Sequence, residues 1–343
     1  MLAGGTGGHI YPGLALAHEL AKRGHELLWV GRESGLEAEL ARRHGFAYRA
    51  VAAAGFSGMG FVRKLRWPWL LLAGLIQSLG IFRDFGPDAV VAAGGYVSAP
   101  GLLAASLTGR PMFLLELNRV PGRVTRLFMG KARESYFAFP PEETKATKAS
   151  EKAVVTGSPL RGEFSTPVRK DDGRTVLVLG GSGGARALTL AGLDAAAALG
   201  NLSFIILTGK RDFELARSHL RSSNCELVEY TERPSELYER ATLAVSRAGG
   251  MVLSELVAYG IPAILVPYPH ATDRHQDVNA SYLASIGATI KLDQNRLSGL
   301  VSLIQGLMND EAKLHSMSAA YEPARHPDAA REIAERMERC LAG

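Results

Sequence analysis

The 343-residue sequence is poor in cysteine and in aromatic residues, and each shortage excludes a class of protein. Its two cysteines, Cys225 and Cys340, have neither metal-ligand spacing nor a disulfide framework, which suits a reducing compartment. Aromatic residues make up only 7% of the chain, and it has no zinc-finger, RNA-recognition or basic-helix motif. Although the net charge is +5, we therefore expect no nucleic-acid partner, and instead a phosphorylated substrate or an anionic membrane.

The sequence also lacks an apolar run of the roughly 20 residues that a membrane-spanning helix needs. Its charge-free stretch runs only from Trp67 to Phe82 and follows three cations, Arg63, Lys64 and Arg66. Such a stretch predicts either a buried core helix or a helix that lies in the membrane interface, and one helix can do both with different faces.

Glycine is abundant, with 38 residues, and it is concentrated in two similar loops. Residues 4–9 are Gly-Gly-Thr-Gly-Gly-His and residues 180–185 are Gly-Gly-Ser-Gly-Gly-Ala. Each loop precedes an apolar helical pattern, and the second follows the apolar run Val176–Leu179. A strand, a glycine-rich turn and a helix N-terminus together make a site for a phosphate or a sugar. Two such units predict two similar lobes with a ligand between them; the alternative is a pair of structural turns.

The position of the first loop also bears on the start of the chain. Because the loop begins at Gly4, we expect no signal peptide. Only Met1–Ala3 remain for the first strand, which is short for a central strand, so we expect either a truncated start or missing strand residues.

Neither loop matches the better-known phosphate motifs. No lysine follows, as a P-loop requires, and the third small residue of a dinucleotide fingerprint is replaced by Ile10 or Arg186. Hydride chemistry with a nicotinamide cofactor is therefore disfavoured. No Asp-x-Asp follows a strand, and Asp171-Asp172 lies in a charged linker, which disfavours a metal-dependent transferase.

Strand-like and helix-like patterns alternate along the chain, which predicts parallel sheets with right-handed crossovers. The strand candidates read as continuous apolar runs, as strands buried on both faces do. They are Leu27–Val30, Ala47–Val51, Ala89–Ala92, Met112–Leu115, Ser135–Phe137, Val154–Thr156, Val176–Leu179, Phe204–Leu207, Leu227–Tyr230, Leu243–Ser246, Ala263–Val266 and Thr289–Lys291. Helical stretches such as Gly35–His44 and Ser98–Thr108 lie between them.

A turn at Gly157–Arg161 and a polar stretch after it indicate a linker. We therefore expect a first domain of residues 1–157 and a second of residues 158–325. The remaining residues, 326–343, contain a charged helical stretch, Asp328–Leu341, which is able to cross back onto the first domain.

Seven segments, in order and at matching intervals, resemble one family. They are residues 4–12, 94–98, 116–118, 157–161, 180–185, 247–255 and 275–280. The sequence is similar to the family 28 N-acetylglucosaminyltransferases, which convert lipid I to lipid II in bacterial peptidoglycan synthesis. It departs from the family pattern at Leu117 and Gly183, where glutamine is common, and near Val252, where a polar residue is common.

The resemblance implies an α/β protein of the GT-B class, in which two Rossmann-like domains with doubly wound parallel sheets face a central cleft. It implies inverting transfer of GlcNAc from UDP-GlcNAc to the C4 hydroxyl of MurNAc in lipid I, with no cofactor and no catalytic metal. It also implies a peripheral enzyme on the cytoplasmic face of the bacterial membrane, in contact with anionic lipids through its first domain.

The resemblance also suggests roles for individual residues. His9 is the candidate base, because an alcohol is a poor nucleophile until its proton is removed; the alternative is that it caps a helix or binds the donor phosphate. The second domain is expected to hold the ribose hydroxyls through Glu255 and the departing pyrophosphate through Ser182. The full set of expected donor-binding residues is Thr6, Gly7, Gly8, Asn118, Arg161, Ser182, Thr231, Gly250, Met251, Val252, Leu253, Ser254, Glu255 and Gln276. Tyr96 and Glu116 are expected to bind the acceptor, although Tyr96 would equally pack beside its glycine turn.

Three other functions remain open at this point. One is another membrane-associated lipid glycosyltransferase of the same fold, such as a diacylglycerol glucosyltransferase. The second is a nucleotide-sugar epimerase that acts on UDP-GlcNAc without any lipid. The third is a non-catalytic UDP-sugar-binding scaffold, against which the presence of His9, Glu255 and Gln276 argues.

Overall fold

The computed structural model describes residues 1–55, 61–143, 152–164, 167–180 and 184–342. Of these, residues 61–67 are described by their backbone alone. The chain divides into two compact units. One consists of Met1–Arg161 with Asp328–Gly343, and the other of Gly162–Pro327. The first unit thus extends a short way past residue 157, where the sequence suggested a boundary.

The first unit is built on a parallel sheet of short strands. They are β1 (Leu28–Gly31), β2 (Ala47–Ala50), β3 (Val90–Ala92), β4 (Met112–Glu116), β5 (Glu134–Phe137) and β6 (Ala153–Val155). β1 pairs with β2, while β3, β4, β5 and β6 pair in that order. Leu2 joins the two groups through parallel bridges to Val30 and Ala92. The short segment that opens the chain therefore occupies the centre of this sheet.

Helices cover both faces of the sheet. They are α1 (Gly7–Lys22), α2 (Leu36–Arg43), α3 (Phe61–Phe85), α4 (Ala99–Thr108), α5 (Arg123–Phe128) and, from the end of the chain, α13 (Ala329–Ala342). Successive residues of a strand point to opposite faces. In β4, Phe113 and Leu115 accordingly pack with buried residues of α1 and α13, whereas Met112 and Leu114 pack with those of α3 and α4.

The C-terminal helix α13 completes the first unit. Its apolar stripe includes Ile333 and Met337, which are buried in the same cluster as residues of α1. Arg336 donates two hydrogen bonds of 2.9 Å to the carboxylate of Glu134 at the start of β5. The last helix therefore packs on the unit that contains the first glycine-rich loop, although the whole second unit separates the two in sequence.

The second unit repeats the architecture with a six-stranded parallel sheet. Its strands are β7 (Thr175–Leu179), β8 (Ser203–Leu207), β9 (Cys225–Val228), β10 (Leu243–Ser246), β11 (Ala263–Leu265) and β12 (Thr289–Lys291), in the spatial order β12-β11-β10-β7-β8-β9. The helices are α6 (Arg186–Ala198), α7 (Phe213–His219), α8 (Ser235–Arg240), α9 (Gly250–Tyr259), α10 (His275–Ser285), α11 (Leu300–Met308) and α12 (Glu311–Ala319). β7 and β10 lie at the centre and are buried along their whole length.

The charge-free stretch of the sequence lies in α3, and its two faces differ. Gly74, Ser78 and Phe82 are spaced at four residues and are buried against the first unit. Trp69 and Ile76 remain 71% and 62% exposed. One face of α3 therefore belongs to the core, and the other is an exposed apolar face of the kind that a helix in the membrane interface needs. Among the helices described, none is long and apolar enough to cross a membrane.

The sequence predicted the strands well. Each of the twelve candidates corresponds to a strand of the structure, and Leu243–Ser246 and Thr289–Lys291 have the same bounds in both. The largest shift is at β9, which begins and ends before its candidate, Leu227–Tyr230. The α/β class and the parallel sheets are confirmed.

Candidate functional site

The first glycine-rich loop leads directly into α1. Thr6 is the N-cap residue, with an extended backbone (φ −131°), and the helix begins at Gly7. The N–H groups of the first turn have no acceptor within a helix, and they point along its axis. Three residues expected to bind the donor, Thr6, Gly7 and Gly8, therefore lie at the N-terminal end of a 16-residue helix, the end of a helix that favours anions.

His9 is oriented by a backbone carbonyl. Its Nδ1 lies 3.0 Å from the oxygen of Ala93, at the end of β3. A carbonyl oxygen only accepts, so Nδ1 carries the hydrogen and the neutral ring keeps its lone pair on Nε2. This partner could not be recognised in the sequence, because Ala93 directly follows a distant strand, β3, and contributes only its main chain.

The glycine pair after β3 makes this contact possible. Gly94 and Gly95 both have positive φ, of 89° and 78°. A Cβ atom on Gly94 would lie 2.8 Å from Nδ1 of His9, and one on Gly95 would lie 2.7 Å from the carbonyl oxygen of Gly4. Only glycine meets both the conformational and the steric demand here. The turn at Gly94 and Gly95 therefore packs directly on the first glycine-rich loop.

A buried glutamate that sequence reasoning missed supports the same loop. Glu37 of α2 is completely buried, and its carboxylate accepts hydrogen bonds from the N–H of Gly5 (3.4 Å) and from the N–H and Nε of Arg32 (both 3.2 Å). Burial alone would lower the pKa of Arg32, but the hydrogen bond and the negative charge of Glu37 raise it overall. The Arg32 guanidinium lies 5.7 Å from the ring centroid of Tyr96, one of the residues expected to bind the acceptor.

Glu116 and Asn118 lie in one turn at the end of β4. Oε1 of Glu116 accepts hydrogen bonds from the main-chain N–H and the side-chain amide of Asn118, at 3.1 and 3.2 Å, and Oε2 accepts one from the N–H of Gly122 at 2.8 Å. Glu116 is 5% exposed. These contacts give Glu116 a role in positioning Asn118, while its expected contact with the acceptor stays a prediction.

Arg161 ends the N-terminal segment of the first unit. Its guanidinium carbon lies 4.5 Å from the ring centroid of Tyr11, on α1. Such a cation–π contact fixes the direction of the side chain. Tyr11 lies in the first of the seven matching segments, residues 4–12, and no role was expected for it. The structure places it beside Arg161, which is expected to bind the donor.

In the second unit, the second glycine-rich turn lies between β7 and α6. Ser182 lies outside the described residues, so its expected contact with the pyrophosphate stays a prediction. Gly184, which follows, has φ of 72°, and a Cβ atom there would lie 2.8 Å from the carbonyl oxygen of Thr208. The end of the turn is therefore closed tightly against the segment after β8.

A second helix N-terminus follows β10, at α9. Gly249 is the N-cap residue, and Gly250, Met251 and Val252 form the first turn, with N–H groups that have no acceptor in the helix. Leu253 is completely buried, and its N–H donates to the oxygen of Gly249, so its side chain serves the core. Any donor contact through this segment would therefore use the three N–H groups before it.

Two polar side chains stabilise this helix start from within. The hydroxyl of Ser254 donates to the carbonyl of Gly250 at 2.9 Å. Asn279 of α10 is 1% exposed, and its amide donates to the carbonyl of Ala248 at 3.1 Å. Ser254 was expected to bind the donor, and this bond occupies its hydrogen while its oxygen can still accept.

Glu255 is oriented by a tyrosine that the sequence did not indicate. The hydroxyl of Tyr238, on α8, donates to Oε2 of Glu255 at 2.6 Å. Both side chains are buried, at 1% and 6% exposure, and Tyr238 packs edge-on against Phe164. A charge-assisted hydrogen bond of this length holds the carboxylate in one orientation. Oε2 of Glu255 is therefore held by a contact within the protein.

Two further donor-binding candidates are held by segments that follow strands: Thr231 follows β9, and Gln276, in the first turn of α10, contacts the segment after β11. The N–H of Tyr268, after β11, donates to Oε1 of Gln276 at 2.9 Å. The hydroxyl of Thr231, after β9, accepts a hydrogen bond from the N–H of Arg233 at 3.0 Å. Ligands of open α/β sheets bind beyond the carboxyl ends of the strands, where Thr231 and the segment that Gln276 contacts both lie.

Metal binding finds no support in the described residues, none of which form a group of three or more His, Cys, Asp or Glu side chains suited to hold a metal ion.

Both units of the chain are similar to known proteins. Residues 1–137 match the glycosyltransferase family 28 N-terminal domain and residues 175–333 match the glycosyltransferase family 28 C-terminal domain. The UDP-N-acetylglucosamine–N-acetylmuramyl-(pentapeptide) pyrophosphoryl-undecaprenol N-acetylglucosamine transferase of Methylococcus capsulatus is 39% identical, over 98% of this chain and 96% of its own length. The enzyme of the same name from Haemophilus ducreyi is 34% identical over the same shares.

Solved structures agree. The crystal structure of Acinetobacter baumannii MurG superimposes with a TM-score of 0.78 and 27% identity, covering 99% of this chain and 98% of that one. The glycotransferase of kitacinnamycin reaches a TM-score of 0.74 at 18% identity, covering 97% and 96%, which is a likeness of fold.

Two Rossmann-like units, each with a glycine-rich turn at a helix N-terminus, define a glycosyltransferase of the GT-B class. Within that class the chain belongs to glycosyltransferase family 28, as the matches to both of the family's domains show.

Proposed function

We propose that this chain transfers N-acetylglucosamine from UDP-GlcNAc to the undecaprenyl-linked N-acetylmuramyl-pentapeptide acceptor, lipid I, and so makes lipid II. The observation that carries the proposal is the similarity, over 98% of the chain, to enzymes named for this reaction. The residues of each unit support it, because the first unit offers an oriented histidine and the second offers amides and a carboxylate suited to a nucleotide.

In the proposed reaction the C4 hydroxyl of MurNAc attacks C1 of the donor sugar. As the new C–O bond forms, Nε2 of His9 takes the hydroxyl proton, and the bond between C1 and the diphosphate breaks with its electron pair leaving on UDP. The hydrogen bond from Nδ1 to Ala93 supports this role, since it leaves Nε2 as the basic nitrogen. Inversion at C1 follows from a single displacement.

The second unit is proposed to hold the donor. The first-turn N–H groups of α9 bind the diphosphate, and Glu255, fixed by Tyr238, accepts the ribose hydroxyls. A single helix N-terminus contributes about 0.3–1 kcal/mol when exposed and up to about 2 kcal/mol when partly buried. Several groups must therefore act together on the leaving diphosphate, including Arg161 and the turn that contains Ser182.

Replacing His9 tests this assignment. We expect His9→Ala to keep UDP binding and to lose about 10²–10⁴-fold in turnover. His9→Asn is the sharper variant, because its amide can still donate to the carbonyl of Ala93 but cannot accept a proton. His18→Ala, on the same helix, serves as the matched control. Turnover of either His9 variant within about threefold of wild type would remove His9 from the role of base.

We also propose that the first unit docks on the cytoplasmic face of the membrane through α3. The support is the exposed apolar stripe of Trp69, Leu72 and Ile76, whose spacing places them on one face of the helix. Tryptophan favours the membrane interface. The sequence places the cations Arg63, Lys64 and Arg66 just before this stripe, and each cation near an anionic surface contributes about 1 kcal/mol.

Vesicle sedimentation tests the membrane proposal in two arms. Reversing Arg63, Lys64 and Arg66 to Glu should lower binding to anionic vesicles by more than about tenfold and leave UDP binding unchanged. Ile76→Ser should weaken binding to anionic and neutral vesicles alike, and Leu220→Ser, a partly exposed leucine of the second unit, is its control. Undiminished binding by both folded α3 variants would move the membrane site elsewhere.

A further inference from the structure

Arg247 is a buried cation whose role neither the sequence nor the proposed reaction explains. It directly follows β10 and is 7% exposed. Its Nη1 donates to the carbonyls of Val266 (3.1 Å) and Pro267 (3.3 Å), and its Nη2 donates to Oε1 of Gln294 (2.6 Å). Among the described residues no carboxylate forms an ion pair with it, although burying a charge without an opposite one is costly.

The groups that Arg247 contacts form one segment. Residues 266–268 leave the end of β11, and the ring centroid of Tyr268 lies 5.4 Å from the Arg247 guanidinium carbon. The N–H of Tyr268 in turn donates to Oε1 of Gln276 at 2.9 Å. A main-chain N–H can only donate, so the oxygen of the Gln276 amide faces Tyr268 and its NH₂ group faces away. The guanidinium thus connects to Gln276 through three consecutive residues.

The chain just before Gln276 is strained. Asp273 and Arg274 both have φ of 52°, a region that residues with side chains seldom adopt. Such a conformation persists only where surrounding contacts impose it. One set of contacts comes from Asp277, whose carboxylate binds Arg274 (2.8 Å) and Lys291 (2.5 Å). The hydrogen bond between Tyr268 and Gln276 provides another.

We infer that Arg247 is a positioning residue for sugar recognition: it fixes residues 266–268 so that Gln276 presents its NH₂ group to a hydroxyl oxygen of the donor sugar. The inference rests on the proposed function, since it assumes that Gln276 contacts the sugar of UDP-GlcNAc. It predicts that Arg247 matters for the sugar and not for the nucleotide. A purely electrostatic role would have a different signature, because a cation that attracts the diphosphate would stabilise UDP at least as strongly as UDP-GlcNAc.

The chain offers a matched control in Arg169. Its guanidinium also donates to two main-chain carbonyls of the second unit, those of Ala241 (3.2 Å) and Gly260 (3.4 Å), although it is less buried than Arg247 and also pairs with Asp171 (2.8 Å). These residues precede β10 and β11, so Arg169 lies at the opposite edge of the sheet from the strand ends that bind ligands. Removing it should lower stability without changing sugar recognition.

Calorimetric titration with UDP and with UDP-GlcNAc tests the inference on the full chain. We expect Arg247→Met to weaken UDP-GlcNAc binding by about five- to tenfold, the worth of one hydrogen bond, and to change UDP binding less than about twofold. Gln276→Ala should give the same pattern, and the double variant should lose little more than either single one. Arg169→Met should keep the wild-type ratio of the two affinities.

Three outcomes would overturn the inference. They are an unchanged ratio of the two affinities in a folded Arg247→Met protein, a larger loss of UDP affinity than of UDP-GlcNAc affinity in that protein, and full additivity of Arg247→Met with Gln276→Ala. If Arg247→Met does not fold, Gln294→Ala removes one acceptor of the guanidinium and should shift the ratio in the same direction; an unchanged ratio there would also refute it. Failure of the wild-type chain to bind UDP-GlcNAc would instead overturn the proposed function.

Discussion

Variants of the Tyr238–Glu255 hydrogen bond allow two roles of Glu255 to be measured separately. One role is in the stability of the second unit, and the other is in nucleotide binding. Glu255→Ala removes both the proposed ribose contact and the acceptor of a 2.6 Å bond between two buried side chains. Tyr238→Phe removes only the bond and keeps the carboxylate. Hydrogen bonds to a charged group contribute about 1.5–3 kcal/mol, which corresponds to about 10- to 150-fold in affinity.

We therefore expect Glu255→Ala to weaken UDP binding by about 10- to 150-fold, and Tyr238→Phe to weaken it by less than about tenfold. In urea unfolding each variant should lose about 1–3 kcal/mol, because each leaves the other buried group without its partner. The double variant should lose less than the sum of the two, since both changes remove the same bond.

The assay is calorimetry with two ligands, UDP and its 2′,3′-dideoxy analogue. If Glu255 binds the ribose hydroxyls, Glu255→Ala should have almost no effect on binding of the dideoxy analogue. An equal loss of affinity for both ligands would refute the ribose assignment and would leave Glu255 with a structural role only.

Three further predictions concern stability and metal dependence. Glu37→Gln should lower the free energy of unfolding by about 1–3 kcal/mol, because it removes the buried negative partner of Arg32. Glu39→Gln, in an exposed ion pair on the same helix, should lower it by less than about 1 kcal/mol. Equal losses in urea unfolding would contradict the buried role of Glu37. The hydrogen bond from Lys291 holds the pKa of Asp277 below its usual value, so its contribution is present above the unfolded pKa of about 3.9 and is lost as pH falls through the lower folded value. Asp277→Asn should therefore lower the melting temperature at pH 7, by an amount that shrinks as pH falls below about 3.9, and a difference that is constant with pH would exclude this linkage. EDTA should leave transfer activity intact, and a loss restored by magnesium would contradict a metal-free mechanism.

The periodicity of the sequence was sufficient to predict the fold. Strands such as β7 and β10 are buried on both faces, so their apolar runs are continuous and easily recognised. The glycine-rich turns were equally visible, because positive φ at positions such as Gly94 and Gly184 can be met cheaply only by glycine.

The supporting contacts of the site could not be predicted. The partner of His9 is the main-chain oxygen of Ala93, which any residue could supply. Glu37 lies in a helix rich in charged residues, and nothing in its spacing distinguishes it from Glu39, which is exposed. Such contacts depend on which strand ends meet in space, and a single sequence does not encode that in any local pattern.

A single-turnover reaction with UDP-GlcNAc and a soluble lipid I analogue tests the central claim most directly. The product would be identified by mass and by the configuration of its new glycosidic bond, with UDP-glucose and UDP-GalNAc as competing donors. We expect one UDP released for each β-linked GlcNAc joined to the MurNAc C4 oxygen, and much slower transfer from the other donors. Binding of UDP-GlcNAc without transfer, its epimerisation without acceptor, or preferred transfer of glucose to diacylglycerol would contradict the account.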